Sequence, residues 1–470
     1  MTVSFGIEFE FDICSRSGEI LTRGSYAFRE LVEGWDWQDD PTAALELRTP
    51  ILTSLDQALS EIKRQFTYWL DIFEDHAPYP VNQKGRSLGQ HVHVGKPTRP
   101  LKTREKIRMA HAAANLYPLL AALHAQPVPS LRGLTSRYTA PMWEYNWDIP
   151  NQDHYCEISD SHNKTIEFRL FDANIPQTTL VTSWFLTKLA EKAFSENFTL
   201  VEVDRERYRR DRQLGLKFGL SALDLKSYLE YFRNIVGDIR IPDCPSIKEI
   251  LYLAVRHRLN PSNIYMLIRP DPYRYFRVMY SNPDRFIGNL SECGTEKVPE
   301  KLREIIKDTE RNVDHVERLS DLIELASTSR PSVKLIGTLF EKLPRSHVAG
   351  KLSRGDFYIC RIHEVTGLSV SDVAKRVEFL INRHKIFGPE NITADEVMRS
   401  PIRYYVLTVF NNFLAREEIL GTIGIRMSTG EVTALAVDRR YRRLGIGKAL
   451  INYVKSECNL PLIMPSKEVD

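Results

Sequence analysis

The sequence predicts an α+β fold with several domains, and three observations support this prediction. Residues 1–200 alternate between the two-residue repeat of strands and the three-to-four-residue spacing of helices, residues 201–350 are mainly helical, and residues 351–470 return to strands before a glycine turn and a helix. A chain of 470 residues also exceeds the roughly 250–300 residues that one hydrophobic core supports. We therefore expect three domains with these boundaries.

The composition is that of a globular protein. Hydrophobic residues make up 43% of the chain and charged residues 27%, and no apolar run approaches the roughly 18 residues that a membrane span needs. The net charge of +3 is small for this length, so we do not expect nucleic acid as the main partner. The six cysteines form no C-x-x-C pair, which fits a reducing cytoplasm better than a disulfide framework.

Four strands and three helices are predicted within residues 1–200. VSFGIEFEFDI, ALELRTP, GQHVHVG and KTIEFRLFDANI have the alternation and residue types of strands. Apolar residues from Leu55 to Phe73 recur at spacings of three and four, which predicts an amphipathic helix, and Ser54 with Gln57 predicts a capping box at its start. Helices are also expected over residues 104–123, interrupted near Pro118, and over residues 179–194.

Pairs of polar residues stand two positions apart on these strands. Such residues project from the same face, while their apolar neighbours pack on the other face. The pairs are Glu8 and Glu10, Glu46 and Arg48, His91 and His93, and Glu167 and Arg169. Neighbouring carboxylates repel unless a cation lies between them, and Mg²⁺ prefers oxygen ligands together with substrate phosphates. The pattern therefore favours a magnesium site.

Two other interpretations of the pairs remain open. Alternating charged and apolar residues are also typical of an antiparallel sheet with one face in water. H-x-H on a strand occurs in zinc hydrolases and cupin-type barrels, because imidazoles suit transition metals. The occurrence of four pairs favours a site over a solvated face, and the surrounding carboxylates favour magnesium over zinc.

Six motifs occur in an order that resembles the amidoligase family. They are GIEFEF, ELRTP, GQHVHVG, RY at Arg137 and Tyr138, HY at His154 and Tyr155, and TIEFRLFDANI. This family is similar to glutamine synthetase and glutamate–cysteine ligase, and the resemblance covers roughly residues 3 to 200. It implies a glutamine synthetase-like curved antiparallel sheet with flanking helices. One departure is Asp172 with Ala173, where the family often has Gly-Thr.

The same resemblance implies an activity and its residues. ATP with two or more Mg²⁺ ions would convert a small-molecule or peptide carboxylate into an acyl phosphate, which an amine then converts into an amide. The metal ligands implied are Glu8, Glu10, Glu46, His93 and Glu167. His91 and His93 are expected to join the metals or contact the ATP phosphates, Arg169 to contact phosphate through its planar fork of donors, and Arg137 to join the catalytic residues.

A glycine turn links a predicted strand to a predicted helix near the C-terminus. In VTALAVDRRYRRLGIGKAL, the strand carries Leu435 and Val437, and the turn consists of Arg442, Arg443, Leu444, Gly445, Ile446, Gly447 and Lys448. Glycines let the backbone approach a ligand, and the free N–H groups of a helix N-terminus stabilise an anion. The segment resembles the acetyl-CoA motif of GNAT N-acetyltransferases. This resemblance implies that these residues bind acetyl-CoA, although the usual final strands do not follow LPLIMP.

Interpretations from other functional classes also remain open. The first part could bind a nucleotide or peptide as a non-catalytic sensor or scaffold, with a degenerate GNAT domain behind it. RPDPYRYFRVMY, residues 269–280, mixes arginines with aromatic residues as single-strand nucleic-acid binders do, but it lacks a basic background. The sequence does not predict the oligomeric state.

Overall fold

The computed structural model describes residues 2–22, 28–38, 43–81, 88–126, 158–159, 164–268, 270–293, 298, 300–329, 350–351, 357–358, 360–364, 370–411, 416–439, 442, 446–458 and 462–464. The chain forms two compact units, Met1–Ser332 and Val333–Asp470. Antiparallel sheets occur together with many helices, which confirms the predicted α+β class. The division into 1–200, 201–350 and 351–470 remains a prediction.

An antiparallel sheet forms the centre of the first unit. Its strands are β1 (Ser4–Ser15), β2 (Ile20–Leu21), β3 (Asp36–Gln38), β4 (Leu45–Arg48), β5 (His76–Tyr79), β6 (Gly89–Gly95), β7 (Ile158–Ser159) and β8 (Thr165–Asp172). The hydrogen-bonded order is β3-β4-β1-β6-β8-β7, and β2 and β5 pair with the later part of β1. β1 therefore lies at the middle of the sheet, between β4 and β6.

Helices follow the strands of the first unit in two groups. They are α1 (Leu55–Ile72), α2 (Thr103–Ala114), α3 (Tyr117–His124), α4 (Pro176–Ala193), α5 (Arg205–Phe218), α6 (Leu225–Val236), α7 (Pro245–Tyr252), α8 (Pro261–Ile268), α9 (Pro272–Ser281), α10 (Ile287–Glu292), α11 (Glu300–Asn312) and α12 (Leu319–Thr328). The first four alternate with strands, and the others fill the region that the sequence predicts to be mainly helical. Among the described helices, none has the length and apolar character needed to cross a bilayer.

One face of the first sheet is covered by aromatic packing against α1. Phe9 and Phe11 of β1 are buried, with Phe66 5.4 Å from Phe9 and Trp69 6.1 Å from Phe11 between ring centroids. Because successive side chains of a strand point to opposite faces, the even-numbered residues of β1 face the other side. The apolar face thus anchors the strand, and the opposite face carries its carboxylates.

The elements of residues 1–200 lie close to their predicted positions. β6 coincides with GQHVHVG, and α1 begins at Leu55 after the Ser54 hydroxyl accepts the N–H of Gln57 at 3.1 Å. The reciprocal bond of the capping box differs from the prediction, since Gln57 Oε1 accepts the N–H of Thr53 at 2.8 Å. The helical interruption falls between α2 and α3, just before Pro118.

The second unit contains strands β9 (Gly350–Lys351), β10 (Phe357–Tyr358), β11 (Cys360–Glu364), β12 (Lys385–Phe387), β13 (Ile402–Asn411), β14 (Arg416–Arg426) and β15 (Glu431–Val437), and helices α13 (Val370–His384), α14 (Ala394–Arg399) and α15 (Ile446–Cys458). Five of these strands pair in the antiparallel order β11-β13-β14-β15-β12. Ile463, in the LPLIMP segment, forms a parallel bridge with Glu431.

Helices cover both faces of this second sheet. Leu450 and Val454 of α15 are buried in one cluster with Leu435 and Val437 of β15. Helix α13 packs in another cluster, which includes Ala434 and Ala436 of the same strand. The alternate residues of β15 therefore contact different helices, and the glycine turn leads from the end of β15 into α15.

Candidate active site

The polar pairs of four neighbouring strands lie on one face of the first sheet. Glu10 is paired with Glu46, Glu8 with His91, Gly6 with His93, and His93 in turn with Glu167. Residues that lie opposite each other on adjacent strands point to the same face. The structure therefore brings together side chains that are far apart in the sequence.

His91 lies among three carboxylates. Its Nδ1 is 2.8 Å from Glu8 Oε2 and 3.4 Å from Glu167 Oε1, and its Nε2 is 3.5 Å from Glu10 Oε1. All four residues are buried, with exposed fractions of 6% or less. The imidazole thus offsets part of the negative charge that these carboxylates concentrate in the site.

A possible metal position lies beside His93. Its Nε2 is 3.0 Å from Glu8 Oε1 and 3.9 Å from Glu167 Oε1. One ligand atom from each of Glu8, His93 and Glu167 lies within 4.8 Å of the other two. Glu167 Oε2 is buried without a hydrogen-bond partner in the described parts of the chain. These three residues are able to share a cation.

Glu10 and Glu46 form a second acidic pair next to this position. Glu10 is 2% exposed and Glu46 is 3% exposed, and the two residues are direct partners on β1 and β4. Glu10 Oε2 accepts the backbone N–H of Gly89 at 2.5 Å. This bond orients the Glu10 carboxylate, while its other oxygen lies near His91.

Two arginines border the carboxylates. Arg48 Nε is 3.1 Å from Glu8 Oε1 and 3.0 Å from Glu46 Oε1. On the other side, an Arg169 Nη lies 2.5 Å from Glu167 Oε1. Both arginine side chains remain partly exposed, so they are able to contact a ligand as well as the carboxylates. Arg48 was noted in the sequence only as the partner of Glu46.

Burial and neighbouring charges shift the pKa values of this site in different directions. Burial raises the pKa of Glu8, but hydrogen bonds from His91 and His93 outweigh it and hold that pKa well below its ordinary value. Burial, together with the charges of Glu8 and Glu10, raises the pKa of Glu46 to about 7. Burial lowers the pKa of His91, but the hydrogen bond to Glu8 leaves it above its ordinary value.

A cleft of about 360 Å³ opens beside His93. Gly6 and Thr165 line it near the carboxylates, and Lys96, Arg99 and Lys164 line it farther out. No motif in the sequence marked these three cations as site residues. Lys96 directly follows β6, Lys164 directly precedes β8, and Arg99 lies a little farther beyond the end of β6.

Some predicted residues lie outside the described residues. In the first unit these are Arg137, Tyr138, His154 and Tyr155, and in the second unit Arg443, Leu444 and Gly445. The roles predicted for them remain predictions.

The remaining residues of the glycine turn lie around the start of α15. Leu435, Val437 and Ile446 are buried in the core, whereas Arg442 and Lys448 are exposed. A Cβ atom on Gly447 would lie 3.7 Å from Leu435 Cδ2, an ordinary contact distance. Any contact of a ligand with Leu435 or Val437 would therefore involve the backbone of β15.

At Leu435, both edges of β15 are paired with protein. Ile423 of β14 lies on one side, and Phe387 of β12 lies on the other. Arg442 also donates from one Nη atom to the carbonyl oxygen of His384 at 2.9 Å, just before β12 begins. A cofactor that used the backbone of Leu435 would have to share this edge with β12 or displace it.

Comparisons with known proteins give one family match and a similar solved structure. The sequence profile of the acetyltransferase (GNAT) family matches residues 381–459. No curated protein matches the chain. A solved glutamate–cysteine ligase of Francisella tularensis in complex with AMP matches with 12% identity over 73% of this chain and 98% of that chain, at a TM-score of 0.39.

The family match covers α15, the sheet from β13 to β15 and the described residues of the glycine turn. It includes the strand, turn and helix on which the predicted resemblance depends. The C-terminal part of the chain therefore matches the GNAT acetyltransferase family over residues 381–459.

Proposed function

We propose that the first unit is an ATP- and Mg²⁺-dependent carboxylate–amine ligase and that the second unit is an acetyl-CoA-dependent N-acetyltransferase. The observation that carries the ligase proposal is the cluster of four buried glutamates on one sheet face, which are Glu8, Glu10, Glu46 and Glu167. A protein gains nothing in stability from burying several carboxylates together, because each loses its hydration and they repel one another. Their retention on one face supports a functional role.

The donor set fits a divalent cation. Carboxylate oxygens are the ligands that Mg²⁺ prefers, and the buried Glu167 Oε2 has a lone pair that no described group uses. Glu8, His93 and Glu167 would hold one ion, and Glu10 and Glu46 are positioned to hold another beside it. When bound, Mg²⁺ would neutralise charge on the phosphoryl group during its transfer.

The proposed reaction has two steps. A carboxylate oxygen of the substrate attacks the γ-phosphorus of ATP, the bond from that phosphorus to the β-phosphate oxygen breaks, and ADP leaves. The amine nitrogen then attacks the acyl carbon, the C–O bond to phosphate breaks, and the nitrogen loses a proton. Arg169 would contact the transferred phosphoryl group, because a guanidinium forms paired hydrogen bonds with phosphate oxygens.

The cleft beside His93 is our candidate position for the nucleotide. Lys96, Arg99 and Lys164 are cations along its wall, and the triphosphate would meet the metal ligands at its inner end. Glu105 offsets part of this charge, since its carboxylate pairs with Lys96 at 2.7 Å and Arg99 at 2.6 Å. Lys164 is exposed at the end of the cleft that leads to β8.

The acetyltransferase proposal depends on the family match and the turn before α15. The first N–H groups of a helix have no partner within the helix, so Ile446, Gly447 and Lys448 are suited to bind the pyrophosphate of acetyl-CoA. The nitrogen of an acceptor amine would form a bond to the acetyl carbon as the bond from that carbon to the sulfur of acetyl-CoA breaks, and the proton lost by the nitrogen would leave on the sulfur as the thiol of CoA. Small-molecule or peptide amines are the acceptor class that we propose.

Untargeted mass spectrometry tests both activities. The full chain would be incubated with a metabolite extract, Mg²⁺ and ATP, with and without acetyl-CoA. We expect ADP and a condensation product that appears only with ATP, and a product 42 mass units heavier than an amine substrate only with acetyl-CoA. ADP release that never depends on an added carboxylate and amine would favour the sensor or scaffold interpretation.

A further inference from the structure

Thr165 and His93 meet at the edge of the proposed metal site. Thr165 begins β8, and its Oγ1 is 3.4 Å from His93 Nδ1. The other ring nitrogen, Nε2, faces Glu8 Oε1 at 3.0 Å. The imidazole therefore has one nitrogen towards a hydroxyl group and one towards the carboxylates.

The chemistry of imidazole assigns different roles to these two nitrogens. A neutral histidine binds a cation through the nitrogen that has no proton, so the proton must be on the other nitrogen. Because Nε2 of His93 faces Glu8 and Glu167, ligation requires the proton on Nδ1. A hydroxyl oxygen beside Nδ1 accepts a hydrogen bond from this N–H group. Hydrogen-bond partners of this kind orient the histidines that bind metals.

The residue opposite Thr165 provides an independent observation. Gly95 of β6 is its partner in the pairing register. A Cβ atom on Gly95 would lie 2.9 Å from Thr165 Cγ2, which is closer than two carbon atoms approach. A glycine at this position lets Thr165 keep the rotamer that directs its hydroxyl to His93.

We infer that Thr165 is a positioning residue, which orients the His93 ring and accepts the Nδ1 proton when a divalent cation takes the place of the proton on Nε2, and which depends on Gly95 for its own orientation. This inference rests on the proposed function. It concerns residues of this chain rather than the substrate, so it can be tested with metal alone.

Calorimetric titration with Mn²⁺ tests the inference in the full-length protein. Thr165→Val keeps the shape of the side chain but removes the hydroxyl, so we expect Mn²⁺ affinity to fall roughly 10- to 100-fold. Thr165→Ser keeps the hydroxyl and should stay close to the wild-type affinity. Thr67→Val, at an exposed position of α1, is the matched control and should bind Mn²⁺ as the wild type does.

A double-mutant cycle tests the dependence on Gly95. Gly95→Ala should weaken Mn²⁺ binding, because the new methyl displaces Thr165. Serine lacks the Cγ2 methyl, so Gly95→Ala should cost much less affinity in the Thr165→Ser background. Equal losses in the two backgrounds would contradict the proposed contact. Unfolding midpoints of all variants would be compared to separate binding from folding.

The results also separate this inference from the proposed function. If His93→Ala abolishes Mn²⁺ binding but Thr165→Val leaves it unchanged, His93 is a ligand that Thr165 does not position, and the inference is wrong. If Thr165→Val changes only the KM for ATP, the hydroxyl contacts the nucleotide, and this result also overturns the inference. If the wild-type protein does not bind Mn²⁺, the metal site of the proposed function fails first.

Discussion

Glu10 and Glu46 lie directly opposite one another on β1 and β4, and both are buried. Holding two ionised carboxylates in this arrangement destabilises the fold, which is consistent with the raised pKa of Glu46. We expect Glu46→Gln to raise the free energy of unfolding of the metal-free protein by about 1–3 kcal/mol at pH 8, since glutamine keeps the shape without the charge. The same change should weaken Mn²⁺ binding.

Thermal unfolding in the presence of a chelator, paired with Mn²⁺ calorimetry, checks this prediction. Glu19→Gln is the control, because Glu19 is exposed and lies beyond the end of β1. A destabilised Glu46→Gln variant with unchanged Mn²⁺ affinity would assign Glu46 a structural role.

Arg169→Lys tests the phosphate contact. Lysine keeps the positive charge, but its ammonium group cannot form the paired, planar hydrogen bonds of a guanidinium. Turnover of ATP should therefore fall roughly 10-fold or more, mainly in kcat, because the contact strengthens as charge develops during transfer. Steady-state ADP release by the variant measures this effect. Lys188→Arg, the reverse exchange at a surface position, is the control. Wild-type rates would leave Arg169 as a partner of Glu167 only.

His124 predicts a pH dependence of stability. Its ring is buried, with Nδ1 3.2 Å from the carbonyl oxygen of Asp172 and Nε2 2.7 Å from Thr182 Oγ1, and burial lowers its pKa to about 3. The unfolded chain takes up a proton at the ordinary pKa of about 6.5, whereas the folded protein does not until about pH 3. The contribution of neutral His124 is thus complete above pH 6.5 and is lost progressively as the pH falls towards 3.

Urea denaturation at several pH values checks this dependence. His124→Gln removes the titration, so the difference in unfolding free energy between wild type and variant should shrink as the pH falls below 6.5, by up to about 1.4 kcal/mol per pH unit. A difference that stays constant from pH 7.5 to pH 4.5 would show that His124 is not held neutral.

Gly447→Ala tests the backbone approach of acetyl-CoA. A Cβ at this position would make ordinary contacts with Leu435 and Val437, so the variant should fold. We expect acetyl-CoA affinity to fall several-fold, because a methyl group at the start of α15 hinders the approach of the pyrophosphate to the N–H groups. Lys455→Gln, at the other end of the same helix, is the control for calorimetry. Equal affinities in wild type and the Gly447 variant would contradict this role.

Local structure was predictable wherever periodicity was strong. GQHVHVG corresponds to β6 with the bounds observed, and α1 begins at Leu55 as predicted, because each run has the residue spacing of one element. The two-residue repeat also predicted that Glu8 and Glu10 share a face. Pairing between distant segments was not predictable in this way. That β4 and β6 flank β1, and that β12 lies beside β15, depends on packing across the whole unit.

Some residues of the candidate site could not be recognised from the sequence, and the physical reason is the same for each of them. Thr165, Lys96 and Arg99 are ordinary polar residues in sequence, and they acquire significance only through what the fold places opposite them. Gly95 is an example, because its lack of a side chain matters only when Thr165 is its neighbour on β8. Carboxylates on a strand, in contrast, are unusual enough to be recognised before the fold is known.

The most direct test of the ligase proposal is ADP release by the Glu10→Gln and Glu19→Gln variants in the same metabolite extract with ATP and Mg²⁺. Glu10 is buried among the proposed ligands, whereas Glu19 is exposed, so the two variants make the same chemical change in opposite environments. We predict that Glu10→Gln lowers substrate-dependent ADP release roughly 100-fold with its fold intact, and that Glu19→Gln leaves the rate unchanged. Equal ADP release by the two variants would contradict the assignment of this site.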